Sequence, residues 1–82
     1  MKKINLIKVK SGHIESIGWE KEYLFDEDSK KIDTLRIKFN DGAIYDYEKV
    51  VKRTFAYFLV AKSKGTFFVN RIKNRYKTIK RK

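Results

Sequence analysis

The chain has 82 residues, 41% of them hydrophobic and 15% aromatic, with no cysteine and no proline. That composition excludes a disordered chain, a second core of any size, a disulfide scaffold and a thiolate metal site. Twenty-one Lys and Arg against ten Asp and Glu leave a net charge of +11, which bears on polyanionic partners rather than on the fold.

Met1-Lys2-Lys3 makes a basic lead-in, continued by Lys8 and Lys10, which cut the apolar run from Ile4 too short for a signal peptide. Nothing approaches the length of a membrane span. The chain therefore reads as cytoplasmic, without a membrane partner. Residues 13–25 mix β-branched and aromatic side chains with charges and predict a strand, kinked at Gly18. Residues 26–31 are polar and predict a turn. Residues 34–39 alternate, with Leu35, Ile37 and Phe39 on one face and Thr34, Arg36 and Lys38 on the other. Asn40-Asp41-Gly42 is a hairpin signal, and residues 43–47 form the return strand.

After Glu48 the period changes. Val51, Phe55, Phe58 and Leu59 fall at i, i+4, i+7 and i+8, an amphipathic helix of about 14 residues ending near Ser63. Gly65 suits a left-handed cap. Phe68, Ile72, Tyr76 and Ile79 repeat at helical spacing and predict a second helix from about Thr66 to Tyr76 or a little beyond. Residues 77–82 follow as a basic, frayed tail. The expected fold is α+β, a single domain over residues 1–82. Its order is β-β-β-α-α, a three-stranded antiparallel sheet followed by two helices packed on one face, with the other face open to water.

The Ile17-Gly18-Trp19 step, the Phe39 strand end before Asn40-Asp41-Gly42, and Tyr45-Asp46-Tyr47 are quotable motifs. So is the run Ala61-Lys62-Ser63-Lys64-Gly65-Thr66-Phe67-Phe68-Val69-Asn70, followed by Ile72 and Tyr76. Together, over residues 9–76, they make the chain resemble the KTSC domain. That domain takes its name from the C-terminus of some lysyl-tRNA synthetases and also occurs as a stand-alone bacterial or phage protein. The chain departs from the family pattern in two places: Trp19-Glu20 stands where Tyr-Asp is usual, and Val51 where a proline often opens the helix. The resemblance implies the architecture above and, by analogy, a contact with RNA.

Catalytic chemistry is poorly provided for. There is one His, His13, no Cys, and no base–nucleophile pair, so neither a zinc site nor an activated nucleophile can be assembled. Asp26, Glu27 and Asp28 could hold a divalent cation, but adjacent carboxylates in a polar stretch are ordinarily a solvated turn. The expectation is no enzyme, no cofactor, no metal and no small-molecule substrate.

The Tyr45-x-Tyr47 pair depends on hairpin register, since residues two apart share a strand face. A two-residue loop pairs Lys38 with Tyr45 and Arg36 with Tyr47, building an aromatic and basic stacking surface. A three-residue loop pairs Ile37 with Tyr45 and Leu35 with Tyr47, sending both rings into the core, where a small protein needs them. One residue of register decides between them. Ser63 and Gly65, flanked by Lys62 and Lys64, either open a helix onto a phosphate or simply cap and turn the chain.

The distribution of charge is more telling. All ten carboxylates lie between Glu15 and Glu48, and residues 49–82 carry twelve Lys or Arg and no acid. Arg71 and Arg75 sit at i, i+4, a like-charge pair that destabilises a helix by a few tenths of a kcal/mol, and a polyanion would relieve it. Arg71, Lys73, Arg75, Lys77, Lys80, Arg81 and Lys82, with Lys62 and Lys64, are the expected phosphate contacts, and Asn70 and Asn74 offer neutral hydrogen bonds between them. The expected function is a small non-catalytic nucleic-acid-binding module, RNA favoured over DNA. The alternative is a protein-interaction or inhibitor module that binds an acidic partner surface.

Overall fold

The computed structural model describes residues 3–82; Lys2 of the basic lead-in lies outside them. Five strands form one antiparallel sheet in the order β1-β2-β3-β4-β5: β1 (Ile7–Lys8), β2 (Ile14–Phe25), β3 (Lys31–Phe39), β4 (Ile44–Glu48) and β5 (Thr78–Lys80). Between β4 and β5 run α1 (Lys52–Val60) and α2 (Lys64–Phe67), the latter continuing into a π-helical turn over Phe68–Ile72. The three-stranded expectation is thus corrected to five, and the basic tail is not frayed but paired.

Both missed strands are edges with weak signals. β1 is two exposed residues, too short to alternate. In β5, Ile79 falls at helical spacing from Ile72 and Tyr76, so it imitates one more helical turn. The second helix stops earlier because the Lys73 N–H closes onto the Phe68 carbonyl, Lys73 turns extended, and Asn74 takes φ +63. Asn tolerates that left-handed geometry better than most residues. The chain then returns along β4, pairing Thr78 with Tyr47, Ile79 with Asp46 and Lys80 with Tyr45. The Lys82 carbonyl accepts from the Ile44 N–H at 2.9 Å.

The β3–β4 hairpin has the longer loop. Gly42 N–H donates to the Phe39 carbonyl, Phe39 N–H to the Ala43 carbonyl, and Gly42 sits at φ +93, which glycine allows. Ile37 therefore pairs with Tyr45 and Leu35 with Tyr47. Those side chains face the helices together with Ile14 and Ile17 from β2, and with Val50, Phe58 and Ile72 they make the core. Phe39, Tyr45, Tyr47 and Phe68 interlock edge-to-face, with centroids 5.4–5.9 Å apart. Phe58 stacks on Phe67 at 4.9 Å. Trp19 Nε1–H donates to the Val50 carbonyl at 2.7 Å, tying β2 to the entry of α1.

α1 begins later and ends earlier than its periodicity suggests. Lys49 is left-handed at φ +63, Val51 is extended, and Ala61 turns extended at the other end. Gly65 is not a left-handed cap; it lies inside α2, which Ser63 caps by accepting from the Thr66 N–H at 3.2 Å. Among the described residues no helix is long and apolar enough to cross a membrane.

The opposite sheet face is not open to water as expected. Gly18 points that way, and a Cβ there would lie 2.3 Å from the Asn5 carbonyl oxygen and 2.8 Å from Ile4 Cγ2. The segment before β1 therefore crosses this face and buries Ile4. Ser16, Thr34, Asp46 and Glu48 on the same face are all buried. At the centre, Asp46 is fully buried and clamped from two sides. Arg36 Nε and Nη2 donate to its two oxygens at 2.7 and 3.0 Å, and Arg81 Nε donates at 2.8 Å. Tyr23 covers the Arg36 guanidinium, 5.4 Å from ring centroid to Cζ.

Candidate nucleic-acid interface

The sheet consumes several cations that the sequence offers to phosphate. Arg36 and Arg81 are committed to Asp46, and the hydrogen bonds to that carboxylate raise the Arg36 pKa further. Lys38 pairs with Glu15 at 3.2 Å. Lys77 pairs with Glu27 at 3.2 Å, and that hydrogen bond raises its pKa. Lys64 Nζ donates to the Ala61 carbonyl, closing the inter-helix turn. Tyr45 and Tyr47 lie on the helix-facing side, opposite Arg36 and Lys38, so the four do not form one stacking surface. Tyr47 is buried, and burial, with the neighbouring Tyr45, pushes its phenol up to about 12.

Lys62, Asn70, Lys73, Asn74, Lys80 and Lys82 are all exposed but scattered over the inter-helix loop, the π turn, the bend after it and the β5 edge. The acidic turn is structural. Asp26 Oδ1 accepts from the Asp28 and Lys30 N–H groups, both at 2.9 Å, and the Lys30 bond foremost lowers its pKa. Among the described residues no cluster of His, Cys, Asp or Glu is placed to hold a metal ion.

One concentration of charge remains. A cleft of about 510 Å³ opens between α1 and the second helical segment, lined by Arg53, Arg71, Arg75, Tyr57 and Tyr76 together with Val51, Thr54 and Phe67. No acid lines it. The i, i+4 spacing that puts Arg71 and Arg75 on neighbouring turns of a helix is interrupted at Ile72, so Arg75 reaches the cleft from the bend that follows. Its Nε donates to the Asn70 carbonyl at 3.0 Å, which fixes the side chain. Arg53 and Arg71 have no ion-pair partner among the described residues. Tyr57 is 59% exposed, whereas Tyr76 packs against the core and forms a firmer wall.

Of the cleft residues, sequence reasoning singled out Arg71 and Arg75 and missed Arg53, Tyr57 and Tyr76. A signal did exist: Arg53 and Tyr57 are i, i+4 on α1 and lie off its apolar stripe, where an aromatic ring has no packing reason to be. α1 also opens with no side-chain cap and no acid in its first turn, so its N-terminal field is uncompensated beside the cleft.

Chemically, the arrangement suits an anion with a planar group attached. Guanidinium forks match phosphate oxygens bidentately, and aromatic faces take unpaired bases. Comparison with known proteins agrees with the architecture. The KTSC domain family profile matches residues 10–76. A crystal structure of a KTSC domain protein from Yersinia pestis is 32% identical, superimposes with a TM-score of 0.75, and covers 98% of this chain and 100% of that one. No curated protein matches the chain at a significant level.

Proposed function

The chain belongs to the KTSC domain family, and we propose that it is a small non-catalytic nucleic-acid-binding module that favours RNA over DNA. The observation that carries this reading is the acid-free cleft in which Arg53, Arg71 and Arg75 meet Tyr57 and Tyr76. Arginine forks grip phosphate without reading sequence, and exposed aromatic faces stack bases that are not already stacked in a duplex. Unpaired bases are the form in which proteins mostly read RNA, which supports RNA over duplex DNA. The cationic half of the chain, with no acid after Glu48, adds long-range attraction and a fast encounter.

The test is fluorescence anisotropy with a single-stranded RNA and a duplex DNA between about 50 and 200 mM salt, where phosphate-driven binding changes most. Expected is binding to the single strand that persists at the higher salt and falls with log salt at about −0.7 per phosphate contacted. Weak binding to both that vanishes with salt would overturn the proposal. A second reading, an acidic protein partner, draws support from β5, an edge strand ending at exposed Lys80, with Lys82 just beyond it, that could accept a further strand. A shape-driven protein interface would show a much flatter salt dependence.

A further inference from the structure

We infer that the arginine cleft takes the phosphorylated end of a single strand, that is, a terminal phosphomonoester with its nucleotide. This refinement rests on the nucleic-acid reading above. Three observations lead to it. The first is size: at about 510 Å³ the cleft has room for one nucleotide.

The second is charge. Two neighbouring internal phosphodiesters bring a charge of about −2 to three guanidiniums. A terminal monoester carries about −1.5 to −2 at pH 7, and the first diester beyond it adds one more, so an end nucleotide comes close to neutralising Arg53, Arg71 and Arg75 together. Tyr57 and Tyr76 are then the faces for its base.

The third is what lies next door. Past Arg75 and Tyr76, which both depressions share, the surface drops into a second hollow of about 440 Å³ lined by Asp26, Glu27, Asp28 and Glu48. Its other cations are Lys49 and Lys77, paired with Asp26 at 3.9 Å and Glu27 at 3.2 Å. Four carboxylates against Lys49, Lys77 and the shared Arg75 leave this hollow net negative by one charge. A strand running on past Arg75 would lay its diesters along that wall, whereas a strand ending at Arg75 avoids it. The cleft is cationic on one side of Arg75 and acidic on the other, which is the polarity of a stop.

Anisotropy with one short RNA sequence in four forms tests this: 5′-monophosphate, 3′-monophosphate, hydroxyl ends, and covalently closed circle. One phosphorylated linear form is expected to bind about tenfold tighter, or more, than the hydroxyl and circular forms, the effect of one further charge-assisted hydrogen bond. The form that gains identifies the end. In a Glu27→Gln/Asp28→Asn variant, with the fold checked by circular dichroism, the circle should gain more affinity than the phosphorylated linear form; an equal gain by all forms, which the lost charges and the freed Lys77 alone would give, overturns the stop. Equal binding of all four forms, still lost in Arg53→Gln/Arg71→Gln, overturns end recognition and leaves the nucleic-acid reading standing. No binding of any form at about 50 mM salt overturns both. A phosphoserine peptide binding as tightly as the RNA also overturns the inference, in favour of a protein partner.

Discussion

Replacing Asp46 by Asn should unfasten the C-terminal strand. The carboxylate is fully buried and accepts three charge-assisted hydrogen bonds, at 2.7 and 3.0 Å from Arg36 and at 2.8 Å from Arg81. Asparagine keeps one acceptor oxygen but turns an NH₂ group toward guanidinium donors, and it leaves two positive charges facing each other. Breaking a buried ion pair by removing one partner costs about 3–5 kcal/mol. The Arg81 side chain is 37% exposed and can recover part of its solvation, so about 3 kcal/mol is the expected loss. A domain of this size has about 4–12 kcal/mol in total. Urea denaturation followed by far-ultraviolet circular dichroism measures the difference. Arg81→Met should cost less than Asp46→Asn, and adding it to Asp46→Asn should cost little more. A loss below about 1 kcal/mol for Asp46→Asn would refute the view that this carboxylate organises the face.

Gly18→Ala should destabilise by about 1–3 kcal/mol, because the new Cβ meets the Asn5 carbonyl and Ile4; faster amide exchange in the segment before β1 would accompany it, and an unchanged midpoint in urea would contradict the contact. Tyr47 ionises near 12 in the fold against an ordinary 10.0, so its neutral form is favoured by folding. That contribution is complete below pH 10.0 and is lost as pH rises through about 12, a loss that Tyr47→Phe should reduce in alkaline denaturation. Tyr57→Ala, at an exposed ring, should change stability by no more than about 0.5 kcal/mol. It should weaken single-stranded RNA binding by about 1–3 kcal/mol while leaving inorganic polyphosphate binding unchanged, and equal losses for both ligands would rule out stacking.

The central hairpin and the apolar stripe of α1 were legible because their periods of two and 3.6 are each sustained over several residues that face one core. Residues 77–82 were not. Their anchor is Asp46, thirty-five positions upstream of Arg81, and a buried carboxylate between two tyrosines has no local signature. The same long-range pairing removes Arg81 from the expected phosphate contacts and Arg36 from the expected stacking surface, which local charge counting cannot anticipate. The tyrosine pair turned on hairpin loop length, since Asn40-Asp41-Gly42 is chemically suited to either loop and Gly42 has positive φ in both; what decides is that Asp41 does not, and that Phe39 N–H bonds the Ala43 carbonyl. Arg71 and Arg75 were visible as a like-charged pair. Arg53 and Tyr57 join them only because α1 packs beside the second helical segment, a tertiary fact.

Reversing two of the three arginines puts the cleft itself to the test. Arg53→Glu/Arg71→Glu changes exposed side chains, so the fold should persist by circular dichroism. Single-stranded RNA affinity should fall, and the slope of log affinity against log salt should flatten by about 1.4, two phosphate contacts at about 0.7 each. A folded variant that binds the same RNA with unchanged affinity and slope would contradict the assignment of the cleft as the nucleic-acid site.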